Sequence, residues 1–456
     1  MSATNAPTQV GQPIRPAGPR HPDWRRRYVP LRARVWLTFV FGFAWLCLSA
    51  WLSRHWIVQL GHDITLPVAI LVITGVALIP GYLNVQLLTG ILLDRPRSLR
   101  LEGIEPDITL LIAAYNEEAS IEETLNYALR SDYHGGLVVV VADDGSTDHT
   151  REVVRAYADR DPRVRLFCAD HGGKANTLSS ALMEVDSPLV ATIDADTLLM
   201  PYSLSRAVAR LRVSPADTVA VAGSVLARNS RKNLLTRAQE WDYFLGISSV
   251  KRVQSLLQGT LVAQGAFSIY RTAALKSVGG WPNRIGEDIV LTWRLLLGGG
   301  RSVFEPTAVA FTEVPDSWSG FVRQRRRWAR GMIEGLRDHG LSLVRQTKLY
   351  SHAVGANFLF PYLDCCFTFA FLPGLVLAFT GNFMIVGPMT LLVLPLNGLI
   401  SAAMYVRQRT IFNEVGLQVR RNRSGFVFYV LLYQFVMAPV SVVGYCLEIS
   451  GARRNW

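Results

Sequence analysis

Charged side chains are scarce in this sequence. Asp, Glu, Lys and Arg make up 18% of its 456 residues, while half of the chain is hydrophobic. An ordinary soluble domain carries about 25% charged residues, so the deficit argues against a wholly water-exposed protein and for a part that sits in lipid. Negative charge is the scarcer sign, with 35 acidic residues against 47 basic ones and a formal net charge of +12. That excess calls for an anionic counterpart; lipid headgroups, nucleic acid or a phosphorylated small molecule would each serve. Cysteine is rare as well. Cys47, Cys168, Cys365, Cys366 and Cys446 form no CxxC or Cys/His spacing, which excludes a zinc motif. All but Cys168 lie in apolar runs, where cysteine acts as a small hydrophobe, so no structural disulfide is expected. No internal repeat is found.

Long apolar runs are missing from the middle of the chain and crowded at its ends. A span needs about 20 apolar residues. "VWLTFVFGFAWLCLSAWL" and "LPVAILVITGVALIPGYLNVQLLTGILL" qualify before the middle; "AVGANFLFPYLDCCFTFAFLPGLVLAF", "FMIVGPMTLLVLPLNGLISAAMYV" and "FVFYVLLYQFVMAPVSVVGYCL" qualify after it. Five spans are therefore expected, two within 35–98 and three within 352–449. The first run lies too far from the N-terminus, and is too long, for a cleaved leader. Arg15, Arg20, Arg25, Arg26, Arg27, Arg32 and Arg34 precede it, and Arg407, Arg409, Arg420, Arg421 and Arg423 fill the segment 407–425 before the last run. Positive charge marks the cytoplasmic side, which puts both segments, and the middle domain, in the cytoplasm of a multi-pass inner-membrane protein. Arg453 and Arg454 fit less well, since five spans place them outside. Residues 1–34, rich in Pro and Gly, read as a disordered basic arm.

From residue 99 to 317 the pattern alternates. "ITLLIAAYN", "GLVVVVADDGS", "VRLFCA" and "PLVATIDAD" are short β-branched runs, separated by segments of helical period. Such alternation predicts a mostly parallel sheet covered by helices on both faces. Ligands bind such sheets beyond the carboxyl ends of the strands, where this sequence collects its polar residues. Tyr115, Asn116 and Glu117 follow the first strand; Asp143 and Asp144 end the second; "HGGKAN" follows the third; Asp194 and Asp196 end the fourth. Each cluster alone is also good turn or helix-cap chemistry. Four successive strand ends of this kind at one sheet edge point further.

Acids alone would repel a phosphorylated ligand, so a divalent cation must bridge them. Mg²⁺ or Mn²⁺ takes one or two carboxylates together with substrate phosphates. Asp194 and Asp196 suit that task, and Asp143 or Asp144 suits hydrogen bonds to a base or ribose. Lys174, in a glycine-rich loop at a helix start, suits a diphosphate. The ligand expected is a nucleoside diphosphate carrying a further group.

The motifs "AAYNEE", "ADDGSTD", "HGGKAN", "IDAD", "GED" and "QRRRW", in this order, resemble the family 2 glycosyltransferases. Within that family the chain looks like the membrane-embedded processive polysaccharide synthases, and "QGAFSIYRTAALKSVGGW" leading to "GEDIVLTWRL" is similar to bacterial poly-β-1,6-N-acetylglucosamine synthases. The resemblance implies a GT-A α/β catalytic domain inserted in a helical transmembrane bundle. It implies inverting transfer from a UDP-sugar, UDP-N-acetylglucosamine being the best match, to a growing β-linked exopolysaccharide that is secreted. Asp143 and Asp144 would bind the nucleoside, with Tyr115, Asn116, Glu117 and Lys174 beside them. Asp194 and Asp196 would hold the diphosphate through the metal. Asp288, with Glu287, would be the general base, while Gln324, Arg327 and Trp328 would form the processivity motif, the indole suited to an acceptor sugar and the guanidinium to the diphosphate. Most relatives read "TED" where Gly286 stands here. Membrane lipids are implied as partners, as is a small accessory membrane subunit in some relatives.

Residues 318–345, containing "QRRRW", read as an amphipathic interfacial helix. Gln324, Arg327 and Trp328 share one face by spacing, while Arg323, Arg325, Arg326 and Arg330 are expected to meet headgroups. No nucleic-acid partner is expected, because arginine clusters are only an electrostatic footprint and leave the acids unexplained. Asp364, costly in lipid, is expected to face protein or a polymer channel. Two other functions stay open: a single-transfer enzyme acting on a membrane lipid carrier, and a non-catalytic nucleotide-sugar sensor or transporter. "QRRRW" argues against the first and the intact acids against the second.

Overall fold

A computed structural model of the chain describes residues 29–94, 99, 101, 103–386, 393–419 and 421–452. Most of the basic arm, with Arg15 to Arg27, and also Arg420, Arg453 and Arg454, lie outside these. Two apolar helices come first, α1 (Leu31–Asp63) and α2 (Leu66–Leu93). α1 starts inside the segment expected to be disordered, so Arg32 and Arg34 sit on its first turn. Trp36, Phe43 and Trp51 point outward and are more than half exposed, as a lipid-facing surface requires. α2 contains a π-helical turn, Thr74–Leu78, just before Pro80. Proline clashes with the carbonyl four residues back, and the wider turn relieves that clash.

The middle of the chain folds as an α/β domain. Its elements are β1 (Ile108–Ala114), α3 (Ile121–Leu129), β2 (Leu137–Asp144), α4 (Thr150–Ala158), β3 (Val164–Ala169), α5 (Lys174–Met183), β4 (Leu189–Asp194), β5 (Leu198–Leu199), α6 (Ser203–Val213) and β6 (Thr218–Ala227). Two helices follow, α7 (Leu234–Trp241) and α8 (Ser248–Leu256), joined by the π-helical turn Asp242–Ile247. Then come β7 (Phe267–Arg271), α9 (Thr272–Ser277), α10 (Glu287–Leu297) and β8 (Arg301–Thr312). The strands form one sheet in the order β3-β2-β1-β4-β7-β6-β8-β5. β3, β2, β1 and β4 run parallel, as the alternation predicts, and β7 is antiparallel to both its neighbours. Apolar residues at alternate strand positions feed two cores. Leu110 and Ile112 pack with α3 and α6 on one face, and Leu111 packs with Leu178, Leu182 and Leu291 on the other. Helices cover both faces, and parallel strands need that cover because neither face can meet water.

The register fixes the site. Ala114 pairs with Asp143, and Ala113 with Asp194. The acids of the second and fourth strands therefore flank the end of the first.

After the sheet come α11 (Trp318–Gly335), a π-helical turn Leu336–Gly340, α12 (Leu341–Val344), α13 (Tyr350–Phe379), α14 (Val393–Glu414), α15 (Arg423–Leu431) and α16 (Tyr433–Ile449). Among the described residues, α1, α2 and α13 are long and apolar enough to cross a membrane; α15 and α16 qualify only as a pair bent by 51°. Five spans were expected, and three or four are found. The fourth apolar run begins partly outside the described residues. Its described helix, α14, extends through Arg407 and Arg409 to Glu414, so those arginines stand on a helix rather than in a loop. Arg252 of α8 binds Asp94 at 2.6 Å and Gln408 at 2.7 Å, tying the domain to α2 and α14. Asp364 in α13 does face protein, accepting a hydrogen bond from Tyr445 Oη at 2.7 Å.

α11 departs most from expectation. Arg325 and Arg330 are buried, at 3% and 9% exposure, and do not reach headgroups. Phe321, Arg325 and Ala329 recur at four-residue spacing and form an inner face against α16. Gly444 of α16 allows that approach, since a Cβ there would stand 2.7 Å from that of Ala329. Buried cations need counter-charges. Arg330 has Glu448 at 3.1 Å, and Arg325 has Asp242 at 2.9 Å, whose carboxylate also accepts from Tyr433 Oη at 3.0 Å. Arg325 also stands over the ring of Trp328, 4.2 Å from its centre. Asp242→Ala would leave Arg325 buried without its partner, which is expected to cost about 3–5 kcal/mol. Thermal unfolding in detergent should show the loss, and Asp242→Ala combined with Arg325→Met should recover part of it.

Candidate active site

The carboxyl edge of β1, β2 and β4 collects the residues that the motifs singled out. Asn116 turns the chain after β1 with φ +54°, a left-handed conformation that asparagine tolerates better than most residues. Its N–H donates to Ser146 Oγ at 3.0 Å, and its Oδ1 accepts from Thr147 N at 2.8 Å. The first and second strand ends thus hold each other. Tyr115 is exposed and stacks on His171, ring centres 4.5 Å apart. Glu117 accepts from Ser120 Oγ; burial raises its pKa, and the charges of Asp194, Asp148 and Glu313 raise it further against the Ser120 hydrogen bond.

Asp143 and Asp144 are neighbours with different duties. Asp144 is already satisfied: it accepts from Gly172 N at 2.9 Å, Gly173 N at 3.0 Å and Thr177 Oγ1 at 2.6 Å. It braces the "HGGK" loop. Asp143 is fully buried, with Oδ2 bound to Ser146 N and to Arg151 Nε, while its Oδ1 has no partner. A buried acceptor left open costs about 1–3 kcal/mol. A ligand's N–H or O–H donor is the chemistry that would satisfy it.

Gly173, at φ +90°, caps α5 and presents Lys174, whose ammonium pairs with Asp194. Burial would lower the Lys174 pKa, but Asp194 and Glu287 outweigh it and the net direction is upward. Asp196 is pushed up to about 6, first by burial and then by the charge of Asp194, although Thr312 and Thr197 donate to it. Glu117, Asp194 and Asp196 therefore crowd negative charge against one cation. Among the described residues no cluster of three or more acids, His or Cys forms a ready-made metal cage. Two carboxylates that disfavour each other's charge fit a divalent ion that arrives with phosphate oxygens.

Across the site, α10 begins with Glu287 and Asp288. Asp288 Oδ1 accepts from Ile289 N at 2.9 Å, and its carbonyl accepts from Thr292 Oγ1 at 2.6 Å. Burial raises the Glu287 pKa to about 7; the Asp288 charge adds to the shift, while Lys174 and Arg327 oppose it. Arg327 is exposed and Trp328 half-buried on α11. The acceptor oxygen of Gln324, Oε1, is buried and unpartnered. Lys174, Glu287 and Arg327 thus act on one another electrostatically from three elements.

Motif reading missed Lys251 and Gln264. Lys251 on α8 is 6% exposed and donates to Gln264 Oε1. Burial lowers its pKa to about 7, against the attraction of Asp288. Gln264 Nε2 donates to Gly223 O at 2.8 Å. The adjacent Gly265 is the other edge of the cleft, since a Cβ there would lie 3.0 Å from Lys174 Nζ. A lysine on the inner face of "SSVKRVQSLL" was the available signal.

Residues 106–331 match the sequence model of the family described as "Glycosyltransferase like family 2". A poly-beta-1,6-N-acetyl-D-glucosamine synthase of Staphylococcus aureus (strain COL) is 31% identical over 248 residues, 54% of this chain and 58% of that one. The synthase of the same name from Staphylococcus epidermidis is 30% identical over 260 residues, 57% of this chain and 61% of that one. The chain spans about three fifths of the length of these curated relatives. In fold, it is similar to a mannosyltransferase from Pyrobaculum calidifontis solved in complex with GDP-Man and Mn²⁺. That likeness has a TM-score of 0.56 at 18% identity and covers 93% of this chain and all of the other.

Glu287 yields a pH test. Its folded pKa lies above the usual 4.5, so the folded state holds its proton more tightly than the unfolded state does. The stabilisation is fully present below pH 4.5 and is lost as pH rises through about 7. Glu287→Gln keeps a neutral side chain throughout. The variant should unfold at a higher temperature than wild type at pH 8, by on the order of 2 kcal/mol, and the difference should fade by pH 5.

Proposed function

The chain carries a family 2 glycosyltransferase domain over residues 106–331, and from that premise we propose that it polymerises a β-linked polysaccharide, transferring N-acetylglucosamine from UDP-N-acetylglucosamine at the membrane. The observation that carries the reading is the meeting of charged groups from three elements: the Lys174–Asp194 pair stands within electrostatic reach of Glu287 at the start of α10 and of Arg327 on α11, beside the open acceptor of Asp143 at the same sheet edge. The sugar is supported by the names of the relatives, and extended polymerisation by "QRRRW" on a helix packed against α16.

In the proposed reaction the nucleoside meets Asp143 and the diphosphate meets Lys174. Asp194 and Asp196 would hold Mg²⁺ or Mn²⁺, which would neutralise charge on the departing diphosphate. The acceptor hydroxyl oxygen attacks the anomeric carbon from the face opposite the diphosphate. The C–O bond to the acceptor forms as the bond to the diphosphate oxygen breaks, and Asp288 takes the hydroxyl proton. Trp328 offers an indole face to the acceptor sugar and Arg327 a guanidinium to the diphosphate. Inversion follows from the single displacement.

Localisation belongs to the same proposal. Arg32 and Arg34 at the start of α1, with the basic arm before them, set the α/β domain on the cytoplasmic side of the inner membrane, where nucleotide sugars are made. The helices after α11 would carry the polymer outward, with headgroups and, as in some relatives, a small accessory subunit as partners.

Membranes containing the protein, given UDP-N-acetylglucosamine and Mn²⁺, are expected to release UDP and accumulate long polymer. Asp288→Asn should reduce both at least ~100-fold while UDP still binds. Equal turnover by Asp288→Asn would remove the base from the mechanism. UDP release with only short, lipid-soluble product would favour transfer to a lipid carrier.

A further inference from the structure

Gly286 opens α10 with no side chain, and the fold gives the reason. A Cβ at Gly286 would lie 2.8 Å from Gly331 Cα and 2.9 Å from Gly331 O; one at Gly331 would lie 2.7 Å from Gly286 Cα. Backbone therefore meets backbone between the loop that starts α10 and the middle of α11, three residues after Trp328. At these distances neither chain has room for a side chain. The loop is seated directly on the helix that carries the acceptor motif.

One side chain fastens the seat. Glu334, one turn further along α11, is fully buried. Its Oε2 accepts from Ile285 N at 2.7 Å and from Gly286 N at 3.3 Å. These are the two amides just before Glu287 and Asp288. No side chain caps α10 at its N-terminus, so this carboxylate from another helix does the work of a cap. Arg284 stands 4.0 Å from its other oxygen and 2.8 Å from Asp338, which keeps positive charge beside the buried acid.

We infer that Glu334 is a positioning residue: it holds the Ile285–Gly286 backbone against α11, and so sets the distance between Asp288 and the acceptor-binding face of Gln324, Arg327 and Trp328. It touches no substrate. This rests on the reading of Asp288 as base and α11 as acceptor helix. Its consequence is specific. Loss of Glu334 should slow transfer far more than it loosens the donor site, most of which lies on other elements, at Asp143, Lys174 and Asp194, with only Arg327 on α11.

The test measures initial rates of UDP release against UDP-N-acetylglucosamine concentration in membranes, for wild type, Glu334→Ala, Glu334→Gln and Gly331→Ala. A misplacement of about 1 Å costs ~100-fold in rate, so Glu334→Ala should lose roughly that in kcat with donor KM within about threefold of wild type. Glu334→Gln keeps a carbonyl acceptor and should return to within about tenfold of the wild-type rate. Gly331→Ala pushes the same two backbones apart from the opposite side. It should reproduce the kcat loss at unchanged KM, with UDP binding reporting that the domain is folded. A wild-type rate in Glu334→Ala would overturn the inference. So would a KM that rises in step with the rate loss, or a Glu334→Gln no better than Ala. A wild type that releases nothing from any nucleotide sugar would instead overturn the glycosyltransferase reading, and the variants with it.

Discussion

The site is built on a charge problem. Parallel strands β1, β2 and β4 end at one edge, and their register brings Asp143, Asp194 and Asp196 to that edge together with Glu117 from the following turn. Burial first, and then the charge of neighbouring acids, shifts Glu117 and Asp196 upward. Lys174 is the partner that relieves Asp194. A diphosphate arriving with a divalent ion would compete for both members of that pair. The ammonium could then turn to phosphate while the carboxylate turned to metal. The Lys174–Asp194 pair would thus weaken metal binding by the protein alone, and a diphosphate that draws off the ammonium would strengthen it.

The opposite wall is α11, and its demands explain much of the rest. It carries Gln324, Arg327 and Trp328 toward the cleft, receives the Gly286 loop on Gly331, and lays Phe321 and Arg325 against α16. Three different neighbours fix one helix. Two buried arginines on it require Asp242 and Glu448 as counter-ions. Glu448 lies on α16, and Tyr433 of α16 binds Asp242, so the last bent pair of helices is joined to α11 through hydrogen bonds and ion pairs. Movement of those helices would be felt at Trp328.

Much of this was legible in the residues. Alternating β-branched runs foretold the parallel half of the sheet, and acids at successive strand ends foretold the edge where they meet. What stayed hidden depends on contacts between distant segments. Asp143 and Asp144 look equivalent in "ADDGS", yet only the folded loop shows that Asp144 is spent on Gly172, Gly173 and Thr177 while Asp143 keeps an open oxygen. Arg325 and Arg330 look like headgroup ligands until α16 covers them. Glu334 and Lys251 carry no motif, because their partners are a backbone and an amide far away in the chain. The span count was less legible: among the described residues three helices qualify, or four with the pair bent at Leu432 taken as one, while the fourth apolar run lies partly outside them and its described helix bears Arg407 and Arg409.

The most direct measurement is Mn²⁺ binding to the detergent-purified protein, followed by electron paramagnetic resonance, with and without UDP. The crowded carboxylates and the Lys174–Asp194 pair predict weak Mn²⁺ binding alone and a large gain when UDP is added, with the gain lost in Asp194→Asn. Tight Mn²⁺ binding that ignores UDP, or UDP binding that ignores Mn²⁺, would contradict the donor site as drawn.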